Sequence, residues 1–288
     1  MARVRRAFAT GLPDTARRLF DRSLARLTNP PGLPAPNARR GLRGRTEPRG
    51  PDVLFVATTP ASLAAKAATT RVPIVFAAVV DPLGVGLVAS LAKPGGNITG
   101  VTNIVAELTG KRLELLKELV PSASRIAVLV NPDDANATPQ IREAEAAARV
   151  LGIELHPILH VRADGDAAKA VSEAASARAD AALRMADPTI YRLQRETADA
   201  AVKYRLPIIF PFRENVVEGG LLSYGTNLPA QFAQAARLVA KILRGAKSAE
   251  LPVEQAATFE LVINMKTAKT LGLSVPSVLL ARADEVIE

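Results

Sequence analysis

Four dipeptides hold the side chains with the plainest chemical use: Thr59-Pro60, Asp81-Pro82, Asn131-Pro132 and Asp187-Pro188. Each joins a short side-chain acceptor to an imino acid that suits a first helical position, where proline's missing N–H would have no intrahelical partner. The pattern predicts a helix after each dipeptide with the acceptor as its cap, and at Asn131 a turn before the helix. Capping alone would account for any one of them. Together, helix starts offer free N–H groups and partial positive charge to an anion, while the aspartates would hold an ammonium. That chemistry suits capture of a small zwitterion such as an amino acid.

Catalysis finds little support. The two histidines, His156 and His160, lie in one Pro-bearing run without HExxH spacing, and no Cys occurs in the chain, which excludes thiolate metal sites and Cys nucleophiles. Gly95, Gly96 and Gly100 in "GGNITG" lack the Lys-Ser/Thr ending of a phosphate loop, so a turn is expected there. No GxSxG occurs. Asp81 and Asp187 have the types for an acid and a base, yet no nucleophile, metal set or cofactor fingerprint accompanies them. The expectation is a binding protein with no enzyme activity, no cofactor and no metal.

These junctions need strands to position them. Short apolar runs at 52–58, 73–80, 125–131, 179–187 and 206–210 alternate with Ala-rich helical windows, which predicts parallel strands covered on both faces. "IELHPILH" at 153–160 reads as a further strand, and Pro157 assigns it to a sheet edge or a bulge. In a parallel sheet all four junctions fall on the carboxyl edge, where open α/β folds bind ligands. Extended links at 93–107, 219–228 and 257–264 pass between lobes, the last leading to a helix capped by Asn264. The helix after 228 buries Phe232, Ala235, Leu238, Val239, Ile242 and Leu243 and stops at Gly245. The resulting fold class is α/β, two Rossmann-like lobes with parallel sheets joined by extended crossovers. Lobe one takes 51–102 and 221–256, and lobe two takes 103–220 and 257–288.

Charge separates the first fifty residues from this design. They contain twelve Arg, no Lys and three acids, whereas the remaining chain balances its bases and acids, so the net charge of +9 belongs to that segment. Its Pro/Arg/Gly texture predicts a largely disordered stretch, with 14–27 able to form a short helix. A basic arm for nucleic acid would need aromatic interleaving or a helix-turn-helix, and neither is present. The first 30 residues lack the apolar core of a signal peptide.

"PIVFAAVVDPLGVGLVASLAKPGGNITGVT", "KRLELLKELVPSASRIAVLVNP", "LPIIFPFRENVVEGGLLSYGTNL" and "FELVINMKTAKTLGLSVPSVLLARADEVIE" resemble the ABC transporter substrate-binding proteins related to the tryptophan-binding TrpX type, over about residues 51–288. The resemblance implies the type I periplasmic binding protein fold, a small carboxylate-bearing ligand in an interlobe cleft, and ABC permease membrane subunits as partners. It implies a periplasmic location, whereas the sequence as it starts would leave the product cytoplasmic. It places ligand contacts at Thr58, Thr59, Asp81, Asn131 and Asp187, and further at Phe212, Arg213 and Asn227. Residues 1–50 depart from the family, which begins with a strand and helix, so the first lobe is expected to be incomplete and its ligand weakly held. The alternatives are the ligand-sensing domain of a transcription regulator or a small α/β enzyme.

Overall fold

The computed structural model describes residues 4–8, 51–187 and 190–288, which divide into two units. Unit one gathers the chain up to Asn103 with Leu228–Ala256, and unit two gathers Ile104–Asn227 with Ala257–Glu288.

Unit one is built on a five-stranded sheet of order β1-β2-β3-β4-β10, every pairing parallel. Its strands are β1 (Val4–Phe8), β2 (Val53–Ala57), β3 (Ile74–Val80), β4 (Ile98–Asn103) and β10 (Glu254–Gln255). Continuous apolar runs bury both faces, as a sheet covered on each side requires. On one face Val56, Ile74, Phe76 and Ile98 pack with Ala65 of α1 (Thr59–Ala68). On the other, Phe55 meets Phe232 of α7 (Leu228–Leu243) edge-on, with ring centroids 5.9 Å apart. Helix α7 buries Phe232, Ala235, Leu238, Val239 and Ile242, leaves Leu243 half-buried, and is followed by Gly245 at φ 104°.

Unit two carries a seven-stranded sheet of order β12-β11-β9-β8-β7-β5-β6. The strands are β5 (Arg125–Val130), β6 (Glu154–His160), β7 (Ala181–Arg184), β8 (Ile208–Phe210), β9 (Leu222–Thr226), β11 (Phe259–Asn264) and β12 (Glu285–Ile287). All neighbours are parallel except β9 and β11, so β11 and β12 run against the rest. One face packs on α2 (Leu108–Leu119) and α3 (Ala137–Leu151) through Leu113, Leu116, Val128, Leu183 and Ile209. The other packs on α4 (Asp166–Ser176) and α5 (Ile190–Lys203) through Ala127, Leu129, Val171, Leu193 and Phe210. Short helices α6 (Arg213–Val217), α8 (Met265–Thr270) and α9 (Ser277–Ala281) complete it, and Asn264 Oδ1 caps α8 by accepting the Thr267 N–H at 3.0 Å. Strand β6, which carries Pro157, is outermost, where a residue without an N–H interrupts no ladder.

Four expectations are corrected. The first fifty residues contribute a strand: β1 pairs in parallel with β2, Val4 opposite Val53. The rest of that segment, the 14–27 helix included, lies outside the described residues. Residues 221–227 belong to unit two, because β9 is hydrogen-bonded between β8 and β11. The sheet of unit two is mixed, since β11 and β12 reverse direction. Finally, Asp81-Pro82 starts turns and no helix; Gly84 and Gly86, the latter at φ 67°, stop propagation after a first turn.

Candidate functional site

Parallel strands bring their carboxyl ends to one edge, so strand order decides which loops are neighbours. In unit one, Thr58 and Thr59 follow β2 and Asp81 follows β3, adjacent strands of one sheet. The Thr58 N–H donates to the Ala77 carbonyl at 3.0 Å, which fixes the two ends together. Thr58 and Asp81 hold φ of 77° and 44°, and Ala78 at φ 54° lies between them in a β3 bulge where pairing slips from Phe76 to Val79. Left-handed backbone at non-Gly residues costs about 1–3 kcal/mol each and gathers where function demands it.

The capping chemistry differs from the sequence expectation in detail. At α1 the cap residue is Thr58, one position earlier than the Thr59-Pro60 pattern suggested, and its hydroxyl bonds no helix N–H; Thr58 Oγ1 is buried without a partner. Ser62 instead donates both its N–H and Oγ–H to the Thr58 carbonyl, at 3.1 and 2.8 Å. Asp81 does accept, from the Gly84 N–H at 2.9 Å, and a Cβ on Gly84 would collide with its carboxylate.

In unit two, Asn131, Asp187, Phe212 and Asn227 follow β5, β7, β8 and β9, four consecutive parallel strands, so all four lie on one carboxyl edge. Asn131 Oδ1 accepts the Asp133 N–H at 3.1 Å and caps no helix, for α3 begins six residues later. Asp187 is engaged inward: its Oδ2 lies 2.7 Å from Arg184 Nη1, and both side chains are buried. Gln140 clamps the neighbouring peptide, its Nε2 donating to the Ala186 carbonyl and its Oε1 accepting the Ala186 N–H, each at 2.8 Å. Asp134 faces this buried pair, and burial raises its carboxyl above the ordinary range, opposed by the Asn136 N–H that it accepts at 2.8 Å.

Phe212 is buried and precedes α6. Arg213, expected as a ligand contact, is half-buried and forked onto Glu285 of β12, with Nη2 to Oε1 at 2.8 Å. Glu285 holds that guanidinium above its ordinary pKa. Asn227 donates from Nδ2 to Glu260 Oε2 at 2.7 Å. Burial raises both Glu260 and Glu214, and their like charges reinforce the shift at Glu260. His156 and His160 are exposed on outermost β6, and His160 ends that strand, on its carboxyl side. Among the described residues no three His, Cys, Asp or Glu are grouped so as to hold a metal, and no helix is long and apolar enough to cross a membrane.

Sequence reasoning missed Arg184, Asp134, Gln140 and Glu260. Only Arg184 left a signal, a lone cation in the apolar run "AALRMAD".

This α/β architecture is that of the type I periplasmic binding proteins. Residues 45–287 match the sequence profile of the family described as ABC transporter substrate binding protein, and the chain belongs to that family. A tyrosine-binding protein of Clostridioides difficile (strain R20291) is 29% identical over 240 residues, spanning 81% of this chain and 68% of that one. A conserved domain protein of Vibrio cholerae O1 biovar eltor superposes with a TM-score of 0.76 at 32% identity, covering 82% of this chain and 79% of its own. An ABC domain from Streptococcus pneumonia in complex with L-Trp superposes with a TM-score of 0.75 at 28% identity, covering 94% and 86%.

Proposed function

We propose that this chain is the solute-capturing component of an ABC importer, that its ligand is an α-amino acid with aromatic ones first among candidates, and that it acts outside the cytoplasm with permease subunits as partners. The observation that carries the reading is the alignment of Thr58, Thr59 and Asp81 on one carboxyl edge and of Asn131, Asp187, Phe212 and Asn227 on another, in a family whose relatives are a tyrosine-binding protein and a domain bound to L-Trp. Loops at such edges present backbone N–H groups to a carboxylate and side-chain acceptors to an ammonium. In this reading the ligand is enclosed by residues of both units, and binding selects the closed arrangement without covalent chemistry. Asp187 acts through its pairing with Arg184 to fix the loop after β7, and Asn131 and Asp81 are the freer contacts.

Isothermal titration of the chain against the twenty common amino acids tests this. Stoichiometric binding of tyrosine or tryptophan, weakened at least about tenfold by N131A, is the expected result. A chain that binds no amino acid, or whose affinity ignores substitutions at Asp81 and Asn131 alike, would refute it.

A further inference from the structure

Toward the carboxyl edge of the unit-two sheet, Arg162, Arg184, Arg192 and Arg213 are each paired with an acid, Asp133, Asp187, Asp164 and Glu285. Arg184 keeps Nε and Nη2 without an acceptor, but its charge is matched. Arg112 has no acid partner among the described residues.

Arg112 is the fifth residue of α2, a helix that leads back to the start of β5, so its early turns lie on the carboxyl side. The helix packs on β8 and β9, two of the strands that carry candidate site residues. The guanidinium is 0% exposed; Nη2 donates to the Val105 carbonyl, while Nε and Nη1 have no acceptor. Burial without compensation lowers its pKa to about 9. A buried cation with unfilled donors costs several kcal/mol, a cost that a bound carboxylate would offset by supplying the missing charge and acceptors.

We infer that Arg112 receives the carboxylate of the ligand, an inference that rests on the amino-acid reading above. Segment 104–107, whose Val105 carbonyl is held by Arg112 Nη2 and Thr109 Oγ1, gives way to admit it. The carboxylate takes the vacant Nε–H and Nη1–H groups, and selectivity for an acid over its decarboxylated amine follows.

Titration of L-tryptophan and L-tyrosine beside tryptamine and tyramine, on wild type, R112M and R112K, tests this together with the melting temperatures of the unliganded proteins. Wild type should prefer each acid over its amine by about 100-fold or more, and R112M should lose most of that preference while melting no lower than wild type. A preference retained in R112M, or an R112M that melts several degrees lower without ligand, overturns the inference and makes Arg112 a structural residue. Should R112M not fold, R112K decides, because a single ammonium should weaken acid binding and unchanged affinity would overturn the assignment. If wild type binds neither acid nor amine, the amino-acid reading fails; Arg112 is then judged on acetate alone. Thermal stabilisation by acetate in wild type but not in R112M or R112K upholds an anion site, and equal responses overturn it.

Discussion

Arg184 and Asp187 form an ion pair 2.7 Å long, with side chains 0% and 1% exposed, at the point where β7 gives way to the loop before α5. Arg184 Nη1 also donates to the carbonyls of Leu129 and Met185, at 3.3 and 3.0 Å, so one guanidinium ties β5, β7 and the loop together. Removing one partner of such a pair leaves an uncompensated buried charge, which costs about 3–5 kcal/mol. D187A is therefore expected to lower unfolding free energy by that amount in urea titrations, and the R184M/D187M double variant to recover most of it. A single variant as stable as wild type would show that the pair contributes nothing.

Strain beside Thr58 gives a change in the opposite direction. Ala78 sits in the β3 bulge at φ 54°, a conformation that glycine adopts freely and an L-residue adopts at roughly 1–2 kcal/mol. A78G should raise stability by about 0.5–1 kcal/mol, the remainder being offset by the greater freedom of glycine in the unfolded chain. Equilibrium denaturation reads the difference, and a destabilised A78G would mean that the methyl's packing outweighs the strain.

The strands were legible because burial on both faces forces unbroken apolar runs; "PIVFAAVV" and "RIAVLVN" became β3 and β5 nearly to the residue. Pro157 and Asn264 were legible for local reasons, a missing donor and a capping oxygen. Strand β1 was not, since "VRRAF" has no apolar run and owes its state to pairing with β2 some fifty residues on. Nor was the allegiance of β9: hydrogen bonds to β8 and β11 place it in unit two, and nothing local to "LSYGT" encodes them. For the site, the strand-end grammar located the two edges, but not what each side chain does there. Asp187 turned inward because an arginine three residues earlier was also buried, a fact of tertiary packing.

Close backbone approach fixes the loop that carries Phe212. A Cβ on Gly225 would lie 1.8 Å from the Pro211 carbonyl oxygen, an overlap no side-chain motion relieves. Because Gly225 also pairs with Glu260 on β11, backing away would break that ladder. G225A should cost about 3 kcal/mol or more, at the upper end of overpacking changes, and lower the yield of soluble protein. Wild-type stability in G225A would show that β8 and β9 can separate without penalty.

Glu260 offers a prediction with a sign set by pH. Burial raises its carboxyl pKa above the ordinary value, the negative charge of Glu214 adds to that, and the Asn227 amide, donating at 2.7 Å, opposes both. An acid whose folded pKa exceeds its unfolded value, about 4.3 for glutamate, is more protonated folded than unfolded between the two values. Stability from this group therefore falls as pH rises from about 4.3 through the folded pKa, then stays flat. Glutamine has no proton to lose and keeps an oxygen for Asn227. E260Q should match wild type near pH 4 and melt higher at pH 7, the gap opening between. Melting curves across that range settle it: a constant gap, or one that opens toward low pH, would mean that Glu260 is stabilised as a carboxylate by charges nearer than its own burial suggests.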